Sequence, residues 1–121
     1  MSYIYSYTRK QAIEDGVLVD VTETAREAGF RFPVAVTANV WYDYIVPPED
    51  GGGQSTEGRL WDTLFMAYIA IRSSQSNRSE LRYKVGYLMK GNRPEEKELK
   101  MVIGPGDDME PVITIMQPNE D

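Results

Sequence analysis

From Leu81 to Lys90 the chain alternates without a break, with Leu81, Tyr83, Val85, Tyr87 and Met89 on one side and Arg82, Lys84 and Lys90 on the other. Successive side chains of a strand point to opposite faces, so this stretch must be a strand with one face to a core and one to water. Two more runs follow. In 97–103, Leu99, Met101 and Ile103 fall on one face while Glu98 and Lys100 fall on the other, and 112–116 is a β-branched run of strand length. Three consecutive strands predict an antiparallel meander, whose apolar face needs a cover.

The preceding residues supply that cover. Residues 56–72 carry the clearest helical period, with Leu60, Leu64, Tyr68 and Ile71 in one row and Trp61, Phe65 and Ile69 beside it. So wide an apolar stripe predicts the central core helix. Thr8 with Gln11 is a capping-box pattern, and Gly16 ends a helix over 9–15. Residues 17–21 read as a short strand, Thr22 as the cap of a helix over 23–28, and Gly29 as its stop. Phe30 to Pro33 is extended before proline, after which Thr37 caps a helix to Tyr44 or Ile45. The Val-rich 34–44 stretch also reads as a strand, and Pro47-Pro48 ends either. Tyr3, Tyr5 and Tyr7 alternate with Ile4 as a short strand or extended arm. Residues 47–58 and 73–79 read as loops, the first a flexible one. The fold class is α+β: helices packed on one face of a C-terminal three-stranded antiparallel meander, with 17–21 available as an extra edge strand, in one domain over 1–121.

Composition narrows the chemistry. The 121 residues include no His and no Cys, which removes the commonest general base, thiol nucleophiles and thiolate or imidazole metal ligands. The longest apolar stretches, 64–71 and 34–36, fall far short of the roughly 20 residues a membrane helix needs, and residues 1–10 lack a signal-peptide pattern. A cytoplasmic protein is expected. The net charge of −6 argues against non-specific duplex binding, which runs on cations, although cations outnumber acids between 78 and 101.

Four constellations stand out. Asp107, Asp108 and Glu110 lie in a loop between two Gly and two Pro, where carboxylates could converge on Mg²⁺ or Ca²⁺. The same residues are turn formers, Gly by positive φ and Asp by bonding nearby amides. Arg59 and Asp62, three apart, read as a helical surface ion pair or as a pair orienting a ligand. Arg82, Lys84 and Lys100 form a basic row on the outer face of the meander, suited to an acidic protein or a phosphate backbone, but no outward aromatic is interleaved to stack bases. Trp41, Tyr42, Tyr44, Trp61, Phe65 and Tyr68 read as core or as a pocket lining. Tyr42 points away from the Trp41, Tyr44 and Ile45 face and, beside Asp43, suits a partner surface.

The phrases Gly16-Val17-Leu18-Val19-Asp20-Val21, Pro33-Val34-Ala35-Val36-Thr37, Glu57-Gly58-Arg59-Leu60-Trp61-Asp62 and Gly104-Pro105-Gly106-Asp107-Asp108 through Met116 resemble a family of small bacterial proteins of unknown function, common on plasmids and phages. The resemblance implies a mobile-element setting and carries no catalytic residue. The expectation is a non-catalytic interaction protein, an inhibitor, accessory or counter-defence factor, with a protein partner, no cofactor, no metal and no membrane. Its candidate surface is Tyr42, Asp43, Arg82, Lys84 and Lys100. The alternatives are a metal-dependent enzyme or ligand-binding domain at Asp107, Asp108 and Glu110, and a nucleic-acid module on the basic strand face.

Overall fold

The alternating C-terminal strands form the meander, and two short strands from the first third of the chain extend it into a five-stranded sheet. The computed structural model describes residues 7–49, 54–74 and 79–120. In chain order the elements are α1 (Arg9–Glu14), β1 (Leu18–Asp20), α2 (Thr22–Ala28), β2 (Val34–Thr37), α3 (Ala38–Val40), which runs into a π-helical turn (Trp41–Ile45), α4 (Thr56–Ser73), β3 (Glu80–Met89), β4 (Arg93–Pro105) and β5 (Pro111–Met116). The sheet order is β1-β2-β5-β4-β3. Every neighbouring pair is antiparallel except β2 with β5, which is parallel. The class is α+β, with the 17–21 stretch supplying the edge strand β1.

β2 resolves the ambiguity of 34–44: Val34, Ala35 and Val36 are all buried. The strand sits between β1 and β5 with both faces covered, so its sequence shows a continuous apolar run in place of alternation. The helix begins only at Ala38, and Thr37 caps it by accepting the Val40 N–H at 3.2 Å. At its end Val46 N–H reaches back five residues to Trp41 O at 2.8 Å, a π-type bond that shifts the following carbonyls out of α register.

One sheet face carries the core. Tyr83, Val85, Tyr87, Leu99, Met101, Ile113 and Ile115 pack there with Val34 and Val36 against Leu60, Leu64 and Ala67 of α4, Ala25 and Ala28 of α2, and Ile45. Burying each large apolar side chain contributes roughly 1.5–3 kcal/mol. α1 crosses the opposite face. Arg9 donates from one guanidinium nitrogen to Thr114 Oγ1 at 2.7 Å and from another to Ile113 O at 2.8 Å, and Thr114 alternates with the core residues Ile113 and Ile115.

Helix ends follow the sequence signals with one change. Thr8 and Gln11 form the full capping box, and Gly29 ends α2 at φ 114°. A Cβ at Gly29 would lie 2.8 Å from the Tyr68 ring, so glycine also permits the close approach of α2 to α4. Thr22 is not the cap of α2. Val21 takes that position, and the Thr22 hydroxyl instead donates to Asp20 Oδ1 at 2.6 Å and accepts the Val34 N–H at 3.1 Å, tying α2 to both short strands. Of the tyrosine arm only Tyr7 is described, donating to Asp15 at 2.6 Å; residues 1–6 lie outside the described residues, as do 50–53 and 75–78 of the two loops. Among the described residues no helix is long and apolar enough to cross a membrane.

Asp107 fastens α1 to the sheet. Its two carboxylate oxygens accept the N–H groups of Arg9 at 2.8 Å and Lys10 at 3.0 Å, donors that the first helical turn cannot satisfy internally. Those bonds hold the Asp107 carboxyl below its ordinary pKa, so this contribution is present above the usual carboxylate range and is lost as pH falls through the depressed value. Asp107→Asn is expected to accelerate hydrogen exchange at Arg9 and Lys10 amides at neutral pH while core amides of β4 keep their protection. Equal protection in both proteins would show that the clip does not hold α1.

Candidate functional site

α4 is fixed in rotation by a buried arginine. Arg59 is 0% exposed. Its Nε donates to Tyr44 O at 2.6 Å; one terminal nitrogen donates to Leu88 O at 2.6 Å and Gln54 Oε1 at 2.8 Å, and the other makes a 3.5 Å contact with Met89 Sδ. The Gln54 oxygen also accepts the Leu88 N–H at 3.0 Å. Arg59 does not pair with Asp62: among the described residues no carboxylate lies within 4.0 Å of it. The shifted carbonyl of the π-helical turn supplies what an acid would have supplied. Burial lowers the guanidinium pKa, with Tyr87 and Asp62 opposing.

Around Arg59 the polar groups are mutually satisfied. Its guanidinium carbon lies 5.0 Å from the Tyr87 ring centroid, Tyr87 stacks on Tyr44 at 5.6 Å and 13°, and Lys97 Nζ lies 5.9 Å from the Tyr44 ring. Thr63 donates its hydroxyl proton to Arg59 O at 2.8 Å, so the Tyr87 hydroxyl is the donor to Thr63 Oγ1. Tyr83 OH donates to Thr63 O at 3.1 Å. Burial pushes the Tyr87 phenol up to about 12, the Arg59 charge working against it.

With Arg59, Leu60, Leu64 and Ala67 turned inward, the second apolar row of α4 is turned out. Trp61 is 38% exposed and Phe65 42%, with Met66 and Ile69 similarly open. The Trp61 and Phe65 rings stack on each other at 6.2 Å and 12° and on no other aromatic ring among the described residues. Glu57 lies at the N-terminal end of this row and Arg72 at the C-terminal end. Four large apolar side chains, each partly exposed along one helix, form the kind of patch that marks an interaction site. The sequence periodicity places Trp61, Phe65 and Ile69 in the wide apolar stripe of the core helix, and the structure turns them outward. Its signal was the width of the stripe, which exceeds what one packed face requires.

The residues singled out from sequence do not converge. Tyr42 is 69% exposed, and Asp43 accepts Gln117 Nε2 at 2.7 Å. Arg82 faces Glu80 and Glu98, and Lys84 faces Glu96, each at 3.8 Å, so acids interleave the basic row. Lys100 corrects the expectation of a solvent-facing cation, being only 8% exposed. The C-terminal residues fold over it: Lys100 Nζ donates to Glu120 O, and the Glu120 carboxylate accepts Thr37 Oγ1, Asn39 Nδ2 and the Gln117 N–H. In the acidic loop Asp107 is occupied by α1, and Glu110 Oε1 accepts the Asp108 N–H at 3.0 Å. Among the described residues no three carboxylates converge to hold a cation.

The architecture is thus a small α+β protein with a clamped central helix and an outward aromatic row. The chain belongs to the family of unknown function DUF6573, whose model matches residues 1–121. Neither a curated protein nor a solved structure matches it.

Removing the clamp leaves two inner carbonyls without donors. Arg59→Ala is expected to destabilise the fold by about 2–5 kcal/mol in urea unfolding, and Arg59→Lys to recover only part of it, since an ammonium cannot span both carbonyls and Gln54; a loss below ~1 kcal/mol would contradict the clamp. The raised Tyr87 pKa sets a second expectation. Its contribution is complete below the unfolded value near 10 and is lost as pH rises through about 12. Stability should therefore fall above pH ~10, less steeply in Tyr87→Phe, as read by ultraviolet titration alongside urea melts.

Proposed function

We propose that the protein is a non-catalytic interaction module that docks a protein partner on the outer face of α4. The carrying observation is the row Trp61, Phe65, Met66 and Ile69, exposed on a helix whose rotation Arg59 fixes. Aromatic and Met side chains are enriched in interface cores, where desolvating them contributes most. Glu57 and Asp62 border the N-terminal part of the row and Arg72 its C-terminal end, so the partner that fits carries an apolar patch edged by basic residues at one end and an acidic one at the other.

The other two readings have less support in the geometry. An enzyme built on Asp107, Asp108 and Glu110 would need carboxylates free to act, yet Asp107 is bonded to α1 and Glu110 to its own loop. A nucleic-acid face would need unpaired cations, yet Arg82 and Lys84 face glutamates and Lys100 is covered. In the plasmid or phage setting that the sequence resemblance implies, the partner would be a host or competitor protein and the role that of an inhibitor or accessory factor.

Phe65→Glu and Trp61→Ala should leave the protein folded at a cost of no more than about 1–2 kcal/mol, because both side chains are only partly covered. In affinity capture at physiological salt, the parent is expected to retain a specific partner that Phe65→Glu loses and that a variant carrying Arg82→Glu with Lys84→Glu keeps. A partner lost only through the basic-row substitutions would overturn this reading.

A further inference from the structure

We propose that a second apolar site, a groove where α2 and the end of α4 meet the hairpin end of β4 and β5, receives Met109 from a second copy of this chain in a reciprocal exchange. The groove encloses about 290 Å³ and is lined by Phe30, Phe32, Tyr68, Ile71, Ile103 and Ile113. Arg31 and Arg72 stand on its rim. Among the described residues neither has a carboxylate within 4.0 Å, although the chain is net acidic. Arg72 is held in place by Tyr68, whose hydroxyl accepts from it at 3.0 Å and whose ring lies 5.8 Å below it.

The occupant with the matching chemistry is the tip of the β4–β5 connection. Met109 is 78% exposed and sits at φ 66°, a left-handed conformation that is unfavourable for a side-chain-bearing residue and free for glycine. A methionine there accepts that cost and then leaves its side chain in water, a combination that burial in a partner resolves. The tip is rigid: Met109 N–H donates to Gly106 O at 3.0 Å, Gly106 N–H donates to Glu110 O at 2.6 Å, and Asp107 is fastened to α1. Asp108 and Glu110 flank the methionine, and the Asp108 carboxylate has no partner among the described residues. An apolar anchor beside the unpaired Asp108 carboxylate is thus presented to an apolar groove flanked by two guanidinium groups. Methionine, unbranched and polarizable, fits an irregular aromatic-walled cavity.

Position favours exchange over a chain of copies. Ile103 and Ile113, paired across β4 and β5, line the groove, and only the Gly104–Val112 and Pro105–Pro111 pairs separate them from the tip. Donor and acceptor therefore lie at the same end of the molecule. A two-fold axis through that end lets each copy give its tip and receive the other's, closing the assembly. Two such contacts are small beside the roughly 1,200–2,000 Å² of a lasting interface, so the dimer dissociates on dilution. It leaves Trp61 and Phe65 free, and so stands or falls separately from the α4 docking face.

Sedimentation velocity of the full chain over a concentration series tests it. The expected result is a monomer–dimer equilibrium weakened at least tenfold by Met109→Gly, a substitution that relaxes the left-handed backbone and so keeps or raises thermal stability. Arg72→Glu should weaken it likewise, Asp108→Arg combined with Arg72→Glu should recover it, and Phe65→Glu should leave it unchanged. A parent protein that stays monomeric at its highest soluble concentration, a dimer indifferent to Met109→Gly, or a double charge exchange no better than Arg72→Glu alone would each overturn the proposal.

Discussion

The aromatic row that α4 turns outward depends on where Arg59 points. A guanidinium in a dry interior is tolerable only when its donors are met, and here the acceptors come from three separate pieces of chain: Tyr44 in the π-helical turn, Leu88 at the end of β3 and Gln54 just before α4. The carbonyls of Tyr44 and Leu88 are at fixed backbone positions, so α4 cannot roll without losing them. The helix has apolar residues on more than one side, and hydrophobicity alone would not choose which row is buried. The arginine makes that choice. It leaves Leu60, Leu64 and Ala67 against the sheet and Trp61, Phe65 and Ile69 in water.

The opposite face of the sheet is organised by polar fastenings between distant parts of the chain. Asp107 takes the free amides of α1, Arg9 reaches across to Thr114, and the Glu120 carboxylate gathers Thr37 and Asn39 while its carbonyl covers Lys100. These contacts account for groups that looked like chemistry in isolation. A carboxylate bonded to two backbone amides stabilises a helix start, and a lysine bonded to the Glu120 carbonyl holds that residue in place. What they leave unassigned is mostly apolar: the row on α4, the groove beside Phe30 and Phe32, and Met109, with Arg31 and Asp108 beside the last two.

Much of the fold was legible because local rules and tertiary structure agree. The alternation from Leu81 to Met89 reports a strand with one wet face, the Thr8 and Gln11 pair reports a helix start, and Gly29 reports a helix end that must also let Tyr68 approach. β2 was harder because Val34, Ala35 and Val36 are buried on both sides, which erases the period that distinguishes strand from helix. Its parallel pairing with β5 joins residues nearly eighty positions apart, and no local pattern encodes such a partner. The burial of Lys100 was hidden for the same reason, since it comes from Glu120 folding back over it. The fate of Arg59 and of Trp61 and Phe65 is one question seen from two sides. The spacing shows that α4 has two apolar rows and a nearby Asp62, but not that backbone carbonyls from a π-turn and a strand end would capture the arginine and decide between the rows.

The central claim, that the clamped α4 holds its aromatic row toward solvent, is tested most directly by the fluorescence of Trp61 in a Trp41→Phe background at low protein concentration. The structure predicts emission at long wavelength that acrylamide quenches readily in the native state. Short-wavelength emission shielded from acrylamide until the protein unfolds would place Trp61 in the core and contradict the account.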